Sequence, residues 1–381
     1  MTSAADSGRG SAKRGSGGGL SGRAKLALPL CILGLLALSV YRLHCAAPGL
    51  PYFEFAGATM GTTWSVKLAE ESLEAGAQAR ITAEIEGRLE EVEALMSTWR
   101  PESELSRFNR HHSTEPFAVS PQTLAVFRAA REVSDLSGGA FDVTVAPLVA
   151  AWGFGATDRL PEPPATAELA ALRERVGYWK IELDEVAGTL RKTEPDTTCD
   201  LSAIAKGHGV DRIAEGLVEL GYENFLVEVG GELRARGRKR EGGGWRVAIE
   251  RPEDGAARSI HEIIELRDTA IATSGDYRNY YEVGGERVSH TIDPRRGEPI
   301  RHGVASVSIL HPEAVRADAL ATALNVLGLQ RGLAVAEQHG LGALFIVREP
   351  DGSFRSIATA AFGAAVGGES PGTPGDTHRD H

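Results

Sequence analysis

The sequence predicts an α+β domain, a single large body of largely antiparallel sheet packed with helices, and three observations carry that prediction. Strand-like segments succeed one another through short polar turns over residues 225–274, and strands joined that closely must run antiparallel. Amphipathic helices with clear start and stop signals supply faces to pack on such a sheet. A length of 381 residues with 42% hydrophobic composition is enough to bury a sizeable core.

Within the folded region, expected over residues 50–363, Thr62 to Leu68 alternates polar and apolar residues as a strand does. Ile81, Ile85, Leu89, Val92 and Met96 then recur at helical spacing. A second helix is expected from Pro121, with Ser120 as N-cap, Leu124, Phe127, Val133 and Leu136 on its apolar face, and Gly138-Gly139 as its stop. After a charged, Pro-rich stretch from Asp158 to Glu174, Tyr178 to Leu183 and Thr189 to Lys192 read as the two strands of a hairpin. Val210, Ile213, Leu217 and Leu220 face a third helix closed by Gly221. Phe225 to Arg236, Trp245 to Glu250, Ile260 to Glu265 and Ala270 to Ser274 read as strands, and Pro312 to Leu327 as a fourth helix ending at Gly328.

The termini differ from this body. Residues 1–25 are Gly/Ser/Arg-rich, lack apolar periodicity and read as a disordered cytoplasmic tail. They hold five basic residues against Asp6, a charge of +4, so the net −11 of the chain leaves −15 for the rest. That balance argues against a nucleic-acid partner, although one compact positive pocket within an acidic surface can still hold a dinucleotide. Residues 26–41 form an apolar run just under the span of about 17–25 residues typical of a transmembrane helix. The basic tail before it keeps the N-terminus inside and sends the chain beyond Arg42 across the cytoplasmic membrane to the periplasmic, extracytoplasmic side. Three fates compete: a cleaved signal peptide, an uncleaved signal anchor, or a lipoprotein signal with Cys45 acylated. The anchor is favoured, because Leu43 and His44 stand where a lipoprotein signal calls for small residues. Residues 364–381 read as a second disordered tail.

Two apparent motifs fail. Gly17, Gly19 and Gly22 match a dinucleotide-binding spacing, but no strand precedes them. His261-Glu262 resembles the start of a zinc-protease helix, but Glu265 stands where the second histidine is required. Of the three cysteines, Cys31 and Cys45 lie in or flank the apolar run, and Cys199 reads as a small buried hydrophobe.

The most informative stretch is Cys199-Asp200-Leu201-Ser202-Ala203-Ile204-Ala205-Lys206-Gly207-His208-Gly209-Val210-Asp211. Gly207 and Gly209 are expected to let backbone N–H groups approach an anion, and Lys206 to supply a mobile positive charge at a helix N-terminus. Asp318 and Thr322, four apart on the fourth helix, offer hard oxygens on one face, which selects Mg²⁺ over zinc. His290 is the side chain whose unperturbed pKa best suits a general base.

With Met60-Gly61-Thr62-Thr63-Trp64, Gly139-Ala140-Phe141-Asp142-Val143-Thr144, His290-Thr291-Ile292-Asp293-Pro294-Arg295-Arg296-Gly297 and Ala317-Asp318-Ala319-Leu320-Ala321-Thr322-Ala323, this stretch resembles the FAD:protein FMN transferases, the ApbE-type flavin transferases, from about Phe53 to about Glu349. The resemblance implies Mg²⁺ held by Asp318, Thr322 and the backbone carbonyl of Ala203, with the carbonyl of Ala321 near it. It implies flavin contacts at Met60, Trp99, Ala140, Phe141, Asp142, Asp200, Lys206 and Ile292, and places Asp276 and Arg278 beside the pocket. The implied reaction is Mg²⁺-dependent transfer of FMN from FAD to a Ser or Thr hydroxyl of an acceptor protein, with His290 or Asp200 assisting deprotonation and AMP leaving. Two alternatives stay open: hydrolysis of FAD to FMN and AMP, and a non-catalytic flavin-binding protein.

Overall fold

In a computed structural model of the chain, the described residues are 52–155, 162–239, 242–253, 259–275, 280–283 and 286–366. The N-terminal tail, the apolar run 26–41, Cys31, Cys45, Asp276, Arg278 and residues 156–161 of the Pro-rich stretch lie outside them.

Strands β1 (Tyr52–Thr59) and β2 (Thr62–Ala69) form a hairpin whose turn residues, Met60 and Gly61, both have positive φ, 48° and 70°. That conformation is unusual for methionine. Glu93 holds it, taking the Met60 N–H at 2.9 Å and the Thr59 hydroxyl at 3.0 Å. Glu93 comes from α1 (Ala77–Met96), which buries the expected stripe of Ile81, Ile85, Leu89, Val92 and Met96. After α2 (Glu104–Arg110) and β3 (Phe117–Ala118), α3 (Pro121–Ser137) starts as predicted, with the Ser120 hydroxyl accepting the Thr123 N–H at 3.2 Å. It stops at left-handed Gly138. Helices α4 (Ala146–Ala151) and α5 (Thr166–Arg173) lead to the hairpin of β4 (Ile181–Asp184) and β5 (Thr189–Lys192), whose first strand starts at Ile181 rather than at the expected Tyr178, because Tyr178–Lys180 form a 3-10 turn.

Three further expectations need correction here. The third helix, α6 (Ala205–Glu219), starts one residue before Lys206, so Gly207 and Gly209 lie inside its first turns rather than in a loop. Residues 225–236 are two strands, β6 (Phe225–Val229) and β7 (Glu232–Arg236), joined by Gly230 and Gly231 at φ 59° and 105°. Two consecutive positive-φ residues reverse a chain into a tight hairpin, which a continuous strand cannot contain. The C-terminal tail expected from residue 364 begins inside a helix, α8 (Ala360–Val366).

Next come β8 (Trp245–Glu250) paired with β9 (Ile260–Leu266), then β10 (Thr269–Gly275), β11 (Tyr280–Val283) paired with β12 (Glu286–Ser289), and β13 (Ile292–Asp293) paired with β14 (Glu298–Pro299). Strand β15 (Val304–His311) enters α7 (Ala314–Gln338), and β16 (Gly342–Arg348) and β17 (Phe354–Ala358) complete the sheet. Its order is β1-β2-β6-β7-β10-β15-β16-β17, antiparallel at every pairing, as the short turns require.

Helices cover one face of this sheet. Trp64, Val66 and Leu68 of β2 meet Ile81, Ile85 and Leu89 of α1 and Val210, Ile213 and Leu217 of α6. Helix α7 packs on α3, α6, β10 and β15. It is the one helix among the described residues long and apolar enough to cross a membrane by length and composition, and its apolar side chains go instead into the domain core. It breaks at the predicted point, Gly328 (φ 71°, ψ 177°), and a second helical segment continues beyond. On the other face, Trp245, Val247 and Ile249 of β8 and Ile264 and Leu266 of β9 pack against Leu310, Leu344 and Phe362.

One carboxylate ties three elements. Asp211 of α6 accepts the N–H groups of Ala314 and Val315, 3.0 and 2.9 Å, at the start of α7, and also receives the Arg234 guanidinium of β7. It therefore caps a helix that has no capping side chain of its own.

Candidate functional site

A cavity of about 1060 Å³ runs along β2, β6, β7 and β10 beneath β8 and reaches the N-terminal ends of α6 and α7. Its size suits a ligand at the large end of the drug-sized range, as a dinucleotide is. Ten of the predicted site residues line it: Ala140, Phe141, Asp142, Asp200, Ala203, Lys206, His290, Ile292, Asp318 and Thr322. They come from separate stretches of chain, and only the fold brings them together. Met60, Trp99 and Ala321 are not among the lining residues. Met60 packs its thioether toward Gly209, and the Trp99 side chain is 71% exposed in the loop after α1. Ala321 is buried in the α7 core.

The charged centre lies where α6, α7 and β7 converge. The Lys206 ammonium stands 2.6 Å from Glu232 Oε1 and 3.8 Å from Asp318 Oδ1. It is held between two carboxylates, so the mobile cation expected from the sequence is a fixed one. Burial works to lower the Lys206 pKa, but Asp318 and Glu232 overcome it and leave it above the ordinary lysine value. Burial raises Glu232 above the carboxylate range, the Lys206 charge opposes the rise, and Asp318 adds to it. Asp318 is buried, not on a helix surface, and its Oδ2 accepts the Gly207 N–H at 2.9 Å.

That bond also corrects the reading of the glycines. A Cβ on Gly207 would overlap the Ala314 carbonyl, and one on Gly209 would stand 3.1 Å from Met60 Cε. Both glycines let α6 approach its neighbours, and the Gly207 N–H faces Asp318 rather than the cavity. Asp142 is committed too: it accepts the Thr144 N–H (2.7 Å), the Thr144 hydroxyl (2.6 Å) and the Tyr178 N–H (2.8 Å). Burial nevertheless leaves its pKa raised, these bonds and Arg131 opposing.

Asp200 points one oxygen at the Ser202 N–H and hydroxyl, 2.8 and 2.5 Å, and follows Cys199, whose thiol burial pushes up and keeps unreactive. Across the cavity, His290 sits at the end of β12 with Phe154 edge-on to its ring at 6.4 Å, and Tyr281 stacks obliquely on Phe154 at 5.1 Å. Phe154, Tyr281 and Glu232 escape the sequence reading. For Glu232 a signal existed: Gly230-Gly231 within a strand pattern marks a turn, and Glu232 follows it directly.

Among the described residues no group of three or more His, Cys, Asp and Glu could hold a metal. Asp318, Thr322 one turn on, and Ala203 all line the cavity and can offer a carboxylate, a hydroxyl and a backbone carbonyl. All are hard oxygens, and one ammonium between two buried carboxylates leaves the cluster short of positive charge. Both features fit a hard divalent cation.

The family model described as the ApbE family matches residues 60–345. The chain is 48% identical over 307 residues to the FAD:protein FMN transferase of Vibrio cholerae, covering 81% of this chain and 90% of that one. It is 41% identical over 310 residues to that of Haemophilus influenzae, covering 81% and 89%. Among solved structures, the flavin transferase ApbE from Vibrio cholerae superposes with a TM-score of 0.75 at 45% identity, covering 83% of this chain and 100% of that chain. The flavinyl transferase ApbE of Pseudomonas stutzeri, in its apo form, superposes with a TM-score of 0.76 at 37% identity, covering 85% and 99%.

Proposed function

The chain belongs to the ApbE family and is an enzyme, an FAD:protein FMN transferase, and on that premise we propose that it joins FMN to a Ser or Thr hydroxyl of an acceptor protein with the help of Mg²⁺. The observation that carries the finer reading is the convergence of Lys206, Asp318, Thr322, Asp200 and His290 on one dinucleotide-sized cavity.

In this reading Asp318, Thr322 and the Ala203 carbonyl hold the metal, with the Ala321 carbonyl close by. When bound, the ion neutralises charge on the pyrophosphate. Lys206, fixed by its carboxylate partners, presents a preorganised positive charge to the same group, so little reorganisation is needed as charge develops. Phe141 and Ile292 supply apolar surface for the flavin ring. His290 or Asp200 takes the proton of the acceptor hydroxyl as its oxygen bonds to the flavin-side phosphorus. The bond from that phosphorus to the bridging oxygen breaks, and AMP departs with the bridging oxygen.

Mixing the chain with FAD, Mg²⁺ and an acceptor domain should give covalent flavin fluorescence on a denaturing gel and one AMP per flavin attached. AMP and free FMN without labelled acceptor would point to the hydrolase. Binding of FAD with neither product would point to a flavin carrier.

We also propose anchoring by residues 26–41 with the catalytic domain extracytoplasmic, a reading supported by the basic residues that precede the run. The intact protein should stay in the membrane fraction with Cys45 unmodified. A diacylglyceryl mass on a new N-terminal Cys45 would overturn the anchor.

A further inference from the structure

We propose that Glu232 is a positioning residue that holds the Lys206 ammonium off Asp318 and thereby keeps Asp318 open to a divalent cation. The inference rests on the metal reading above and concerns a residue outside the proposed ligand set. Lys206 Nζ lies 2.6 Å from Glu232 Oε1 but 3.8 Å from Asp318 Oδ1, so a displacement of about an ångström would bring the second, looser ion pair to hydrogen-bond distance. Asp318 Oδ2 is occupied by the Gly207 N–H, which leaves Oδ1 as the oxygen for which the ammonium and a metal would compete.

Glu232 is suited to win the ammonium. Its side chain is 4% exposed against 30% for Lys206, and its Oε2 is buried with no hydrogen-bond partner, so Lys206 is the one cation in contact with this carboxylate among the described residues. An uncompensated buried carboxylate is costly, which makes Lys206 hard to draw away. The backbone enforces the arrangement: the Gly230-Gly231 turn delivers Glu232 at the first position of β7, and a Cβ on Gly230 would stand 3.0 Å from Lys206 Cδ and 2.9 Å from Thr62 Cγ2. A side chain there would push the lysine stem out of its path. The charges agree with this division of labour. With one ammonium shared by Glu232 and Asp318, the two buried carboxylates carry a surplus negative charge; without Glu232, Lys206 and Asp318 close into a neutral pair and the demand for a metal falls.

The test uses the full chain and Mn²⁺ as the probe, monitored by electron paramagnetic resonance in the absence of FAD. Wild type should bind Mn²⁺ and Asp318→Asn should not. Glu232→Gln should weaken binding about tenfold, and adding Lys206→Met to it should restore affinity to within about threefold of wild type. Lys206→Met alone should change affinity much less than it does in the Glu232→Gln background, because only there does the lysine sit on Asp318. Should Glu232→Gln not fold, Glu232→Asp, one methylene too short to keep Nζ, carries the same expectation. Unchanged affinity in the Glu232 variant, or effects that simply add across the cycle, would overturn the inference while leaving the metal reading intact. Equal Mn²⁺ binding by wild type and Asp318→Asn would overturn both.

Discussion

Asp318 shows how a residue proposed for the chemistry can also serve the fold. From its spacing alone it reads as a helix-surface ligand whose loss spares the fold, but its burial and its bond to the Gly207 N–H change that expectation. Asp318→Ala should cost about 1–3 kcal/mol of stability, because a buried N–H is left unpaired, and should also abolish turnover. Asp318→Asn keeps an oxygen for Gly207 and should separate the two: near-native unfolding with activity lost. Urea unfolding and AMP release on both variants check this, and wild-type turnover at limiting Mg²⁺ in Asp318→Asn would remove Asp318 from the metal site. His208, also on α6, makes a pH prediction. Burial, with Arg212 adding to it and Glu91 opposing, lowers its pKa from the ordinary 6.5 to about 4, and its Nε2 has no hydrogen-bond partner. Between those values the unfolded chain takes up a proton that the folded one refuses. Stability is therefore intact above about pH 6.5 and falls as the pH drops toward 4, by about 3 kcal/mol in all. Denaturant midpoints across that range should flatten in His208→Gln; an unchanged slope would mean that other groups carry the acid response.

At the scale of elements, what was local was legible. The α1 stripe, the Ser120 cap and the Gly138 stop of α3 depend on residues within a few positions of one another, and each stands where the sequence puts it. The Cys199–Asp211 stretch lines the cavity, but its mechanics were not legible, because the partners that define Gly207 and Lys206 are Asp318, Ala314 and Glu232, distant in sequence. Periodicity carries no information about such meetings. The break in α7 was visible as a glycine, and its dihedrals explain the residue: Gly328 at φ 71° and ψ 177° occupies a region that side chains scarcely enter. A Cβ there would also stand 3.1 Å from His302 Cδ2. Gly328→Ala should cost about 1–3 kcal/mol by urea unfolding. Turnover per folded molecule should be retained, since Asp318 and Thr322 lie in the segment before the break. A variant as stable as wild type would show that the break relaxes to ordinary helix.

At the scale of the whole molecule, the antiparallel sheet holds the parts in place: helices on one face, the β8–β9 hairpin on the other, and the cavity running between that hairpin and the strands. The cavity, at about 1060 Å³, is large enough for both halves of a dinucleotide, so FAD should bind more tightly than FMN. The difference should appear in thermal unfolding as well as calorimetry, since a ligand at a hundred times its Kd stabilises by about 2.7 kcal/mol. Equal affinities would mean that the adenine half makes no useful contact. Asp211 has a consequence for time rather than energy. The carboxylate waits on α6 until Ala314 and Val315 arrive, 103 and 104 residues later, and the Gly207–Asp318 bond spans 111. On a ribosome making about 5–20 residues per second, that interval is several seconds in which the first half of the site exists without the second. Loops of that length close slowly as well as late. A nascent or truncated chain ending before residue 314 thus lacks the Asp318 carboxylate that meets Gly207 and Lys206, and the charged centre closes only after α7 has been made.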